Sequence, residues 1–237
     1  MTEHTHAEEP RLTRRGSLVS LGGFVAAALG AGAWKAAGDA EAVGNGPAGV
    51  ASGAVTCVLT PELTEGPYYI AGEKVRRNIT EGRPGAPLTL KTAVVDSSTC
   101  RPIKGAAVDI WHADAGGIYS GFGEGRASRT FMRGVQKTDA TGIAAFQTVY
   151  PGWYMGRTVH IHVKVYLGGS VVHTGQLFFP DSLTDVVYRK SPYNQRPARD
   201  MRNADDSIYV NGGKRGLLTV RRSGTGYLGT ITMGVHR

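Results

Sequence analysis

Tyr154, Arg157, His160 and His162 lie within one short stretch, YPGWYMGRTVHIHVKV, running from Tyr150 to Val165. Its second half, Val159 to Val165, alternates and is β-branched, which predicts a strand. Residues two apart on a strand share a face. His160 and His162 therefore point the same way, with Ile161 opposite. Two imidazoles on one face make half of a metal site. Tyr154, a short turn upstream, offers a phenolic oxygen. Tyr119, in WHADAGGIYSGF, offers another.

Two imidazoles and two phenols form a donor set without thiolate or carboxylate. Zinc sites more often use His, Cys and carboxylate. A phenol, with an ordinary pKa of about 10, must lose its proton to bind. A trivalent cation drives that loss better than a divalent one, because the ion's charge dominates the local field. The set points to Fe(III). An HxH pair on a strand is also what two half-exposed polar residues look like. Tyrosines in β-rich proteins commonly pack with the hydroxyl at the surface. Spacing alone does not select Tyr119 from the ten tyrosines.

Four motifs in order then resemble the intradiol ring-cleavage dioxygenases, the family of catechol 1,2-dioxygenases and protocatechuate 3,4-dioxygenases. They are TPELTEGPYY at Thr60–Tyr69, GAAVDIWHADAGGIYSGF at Gly105–Phe122, PGWYMGRTVHIHVKV, and HTGQLFFPD at His173–Asp181. The resemblance runs from about Thr56 to the C-terminus. It implies that Tyr119, Tyr154, His160 and His162 bind one Fe(III) per chain, with Tyr154 the tyrosine that leaves the iron when substrate arrives. It implies catalytic roles for Arg157 and Gln176 and places Gly66 and Pro67, with Arg157, at the substrate. The reaction implied is cleavage of a catechol by O2, between its two hydroxylated carbons, to a muconate-type diacid. His112 in WHAD is read as a structural histidine near the site. His173 and His236 have no partner pattern.

Two other readings share the same residues. One is a secreted β-sandwich binding protein with a degenerate or structural metal site. The other is a zinc hydrolase built on His160 and His162, disfavoured because no carboxylate or third histidine stands at a usable spacing. A nucleic-acid partner is disfavoured too, since no segment combines concentrated basic charge with interleaved aromatics.

Residues 1–42 read as an export signal of the twin-arginine kind. Arg14-Arg15 precedes a Gly/Ala/Leu-rich run, and Ala40-Glu41-Ala42 is a small-x-small cleavage site. The run is short for a stable membrane span of roughly 20 strongly apolar residues. Residues 43–55 read as a flexible linker and 56–237 as the catalytic domain. The signal holds four of the 27 Lys and Arg and five of the 19 acids, so the remaining 195 residues carry +9. That size fits one domain, and that charge attracts anionic aromatics. Secretion makes a disulfide the expectation for the two cysteines, Cys57 and Cys100. Such a bridge would stabilise by roughly 3–4 kcal/mol. A homo-oligomer is left open.

The expected fold is all-β, a sandwich with long loops and little helix. Short alternating segments cover Leu88–Val95, Ala106–His112, Met132–Thr138, Ile143–Val149, Val159–Leu167, Val171–Phe179, Leu217–Arg222 and Tyr227–Val235. Asp139-Ala-Thr-Gly142 predicts a hairpin between the third and fourth. Asp181–Gly213 is a long connection of the kind that borders a site.

Overall fold

The computed structural model describes residues 59–123 and 128–237. The expected signal, the linker and Cys57 lie outside the described residues. Strands β1 (Pro87–Asp96), β2 (Ala107–Trp111), β3 (Arg133–Lys137), β4 (Ile143–Val149), β5 (His160–Leu167), β6 (Ser170–Phe178), β7 (Thr219–Ser223) and β8 (Gly226–Val235) make two four-stranded sheets. Their orders are β4-β1-β8-β7 and β3-β2-β5-β6. All pairs are antiparallel except β1 with β8.

The core lies between the sheets. Leu88, Leu90, Val94, Phe146, Ile231 and Met233 of one pack with Val108, Ile110, Ile161, Val163, Val165 and Leu177 of the other. These are the alternate, inward positions that a two-residue period assigns to one face. The opposite faces of β2, β5 and β6 carry Trp111, His160, His162 and Gln176, and these are buried as well. Chain from outside the sandwich covers them. Leu63 N–H donates to Thr174 O at the β6 edge, and Arg76 N–H donates to Val135 O at the β3 edge. Residues 63–76 thus cross the whole outer face of this sheet.

Two expectations change. The Asp139–Gly142 turn does not close a hairpin, because β3 pairs with β2 and β4 with β1. The Asp139 carboxylate accepts from the backbone N–H of Thr141 and of Ile143. This local bond reverses the chain without specifying which strand the next one joins. Gly168-Gly169, by contrast, does close a two-residue hairpin between β5 and β6, with φ 57° and 89°. The Asp181–Gly213 connection also contains two short helices, α1 (Asp181–Tyr188) and α2 (Ser207–Asn211).

Candidate metal centre

His160 and His162 project from the outer face of β5 with their Nε2 atoms 3.1 Å apart. His160 Nδ1 lies 2.6 Å from Thr158 O. A carbonyl only accepts, so the proton sits on Nδ1 and Nε2 keeps a lone pair. Trp111, across the β2–β5 ladder, stacks on His162 at 4.9 Å and 5° between planes, fixing the ring's tilt. Burial, helped by the Arg157 charge, lowers the His160 pKa to about 3. Burial and His160 hold His162 well below its ordinary value. Both imidazoles are therefore neutral at physiological pH, as a metal ligand requires.

Tyr154 comes in from a tight turn. Arg157 N–H reaches back to Tyr154 O at 3.4 Å, and Gly156 takes φ 80° at the third position, as a type II turn requires. The turn presents Tyr154 and Arg157 side by side. Tyr154 Oη lies 3.0 Å from His160 Nε2. Tyr119 comes from the loop after β2, whose backbone runs so close to Trp153 that a Cβ on Gly117 would meet Trp153 O at 2.1 Å. The Tyr119 and Tyr154 rings sit 5.4 Å apart, edge to face. The Tyr119 hydroxyl is buried with no hydrogen-bond partner of normal geometry. Burial, then the neighbouring Tyr154 oxygen, pushes its pKa well above that of a free phenol. Burial raises Tyr154 too.

The fit to a cation rests on this donor set. Two imidazole nitrogens and a phenol oxygen converge within about hydrogen-bond distance, beside a second buried phenol. Among the described residues no three His, Cys, Asp or Glu side chains group as a metal site. The donors are imidazole and phenol, the set that suits Fe(III).

Gln176 faces His162 across the β5–β6 ladder. Its Oε1 accepts from Arg157 Nη2 at 2.6 Å, and its Nε2 donates to Thr64 O at 2.9 Å. Gly66 lies against His162, where a Cβ would meet Cε1 at 3.0 Å. Pro67 is exposed beside it. Fully buried His112 has both ring nitrogens engaged, at 2.8 Å from Ala113 O and 2.8 Å from Thr148 Oγ1. That is a structural histidine. His173 is buried beside Glu62, 3.0 Å away, and His236 is exposed.

Sequence reasoning missed Asp206. This buried carboxylate accepts from Arg157 Nε at 2.8 Å and Thr158 N–H at 2.9 Å through one oxygen. Through the other it caps α2, accepting from Ile208 and Tyr209 N–H. Burial would raise its pKa, but the bonds from Thr158 and Arg157 outweigh that and hold it below the usual range. An Asp before the apolar run Ile208–Val210 was a readable helix cap. Nothing local linked it to Arg157.

The family model described as Dioxygenase matches residues 64–188, more than half of the chain. The chain is 35% identical over 101 residues to catechol 1,2-dioxygenase 1 of Acinetobacter lwoffii, covering 40% of this chain and 32% of that protein. It thus spans about a third of the length of that curated relative. A solved structure, the intradiol ring-cleavage dioxygenase from Tetranychus urticae, superposes with a TM-score of 0.73 at 40% identity, over 76% of this chain and 95% of that one. The dioxygenase domain of a dioxygenase carbohydrate-binding protein fusion from Streptomyces sp. SirexAA-E superposes at 0.59 with 34% identity, over 76% and 99%.

Proposed function

Because the chain belongs to the intradiol ring-cleavage dioxygenases, we propose that it cleaves a catechol with O2 to a muconate-type diacid. In this reading Tyr119, Tyr154, His160 and His162 hold one Fe(III). The observation that carries it is the approach of His160 Nε2 to both His162 Nε2, at 3.1 Å, and Tyr154 Oη, at 3.0 Å. Ferric iron held by these four residues would supply Lewis-acid chemistry to a bound catechol.

The chain's own groups do the rest. Tyr154 is less buried than Tyr119, so its oxygen, as the phenolate that a bound cation would require, is the one placed to take a proton from an incoming catechol. Arg157 is held from two sides and aims fixed positive charge at the site. It stabilises negative charge developing on the ring without giving up a proton. Gln176 fixes the guanidinium. The 63–76 segment closes the face over His162 and excludes water. We further propose export of the chain by the twin-arginine signal, cleavage near Ala42 and a Cys57–Cys100 disulfide. The test is oxygen uptake by the iron-loaded chain on a panel of catechols, with product masses. Uptake should depend on iron and on an intact catechol. A protein that carries iron but consumes no O2 with any catechol would overturn the activity.

A further inference from the structure

A cavity of about 330 Å3 opens directly onto Tyr119 and Tyr154, and its remaining walls are Tyr68, Ile118, Phe122 and two glycines. Pockets of about 300–1,000 Å3 take drug-sized ligands, so a bare catechol fills a minor part of this one. The walls are largely aromatic, and their rings pack on one another. Tyr68 stacks on Tyr119 at 4.3 Å and meets Phe122 edge-on at 5.2 Å. Among the described residues no lysine or arginine lines the cavity. The guanidiniums behind its walls each have partners outside the lining. Arg133 donates to Tyr68 O at 2.7 Å and Ser120 O at 2.8 Å. Arg196 donates to Trp153 O at 2.7 Å and lies over the Trp153 ring at 4.6 Å. Arg157, bound to Asp206 and Gln176, serves the metal donors and is not among the residues that line this cavity. A carboxylate placed in the cavity would lose water and, among the described residues that line it, meet no cationic partner. An apolar or aryl group would gain aromatic contact.

From this we infer that the preferred substrates are catechols bearing a neutral apolar or aryl substituent, seated between Tyr68, Ile118 and Phe122. The inference rests on the catechol-binding site proposed above. It is tested by calorimetric titration of the iron-loaded full chain, with O2 excluded, using catechol, phenyl-substituted catechol and protocatechuate. The phenyl compound should bind about tenfold or more tightly than catechol, equivalent to about 1.4 kcal/mol. Its heat-capacity change should be more negative, the mark of apolar burial. Protocatechuate should gain nothing over catechol. In Ile118→Trp, which fills the cavity, the ratio of phenyl-catechol to catechol affinity should fall toward one. Equal affinities in the wild type, a preference for protocatechuate, or an unchanged ratio in Ile118→Trp would overturn the inference while leaving the catechol site standing. Failure of all three compounds to bind would overturn the catechol site and the inference together.

Discussion

Arg157 Nε donates to Asp206 Oδ2 at 2.8 Å, joining the turn that carries Tyr154 to the cap of α2, 49 residues further along the chain. Its Nη2 meets Gln176 Oε1 at 2.6 Å. The guanidinium is thereby held in one plane by an acid on one side and an amide on the other. A pre-aimed cation of this kind stabilises charge without reorganising during the reaction.

Asp206→Asn keeps the α2 cap, since Asn caps as well as Asp, but removes the charge that anchors Arg157. Iron content and resting visible absorption should stay near wild type, while kcat falls about tenfold or more. Arg157→Ala should fall further, on the order of 100-fold. Normal turnover per bound iron in both variants would assign Arg157 a structural role only. Iron assay, spectrum and steady-state kinetics on the same samples decide it.

Tyr119→Phe and Tyr154→Phe each remove one phenol oxygen. The purified wild type should be red to purple, from phenolate-to-iron charge transfer. Each variant should shift or weaken that band and lower the iron content. A colourless wild type carrying zinc would contradict the donor assignment.

Gly66→Ala should perturb the centre from the second layer of contacts. Its backbone holds φ at 74°, where a side chain costs roughly 1–2 kcal/mol, and the new Cβ presses on His162. Iron affinity measured by chelator competition should drop and the melting temperature should fall. Wild-type values for both would show that the crossing segment yields freely.

Burial raises the Asp109 carboxyl to about 7. A carboxyl raised in the folded state contributes most to stability below its unfolded pKa, about 3.9, and loses that contribution as pH rises through the folded value. Asp109→Asn removes the dependence. The stability difference between variant and wild type should therefore move in the variant's favour between pH 5 and pH 8. Parallel denaturation curves at the two pH values would show that Asp109 stays charged throughout.

Much of this was legible in the chain. The β5 pattern placed both histidines on one face because a two-residue period leaves no other choice, and the strand segments matched the sheets to within a residue or two. Tyr119 was legible only through the family resemblance, since its position depends on a glycine-rich loop whose path is set by contact with Trp153. The β3–β4 turn misled because a turn signal records reversal and not partner. Asp206 was invisible as a site residue because an ion pair across a long connection leaves no periodic trace.

The central claim is intradiol cleavage at a four-ligand ferric centre, and the most direct measurement is the mass of the product formed from catechol by the iron-loaded chain under isotopically labelled O2. A ring-opened diacid equal to catechol plus two oxygen atoms, labelled from the gas, is the predicted result. An intact ring, a hydroxy-aldehyde from cleavage outside the two hydroxylated carbons, or a product without labelled oxygen would contradict it.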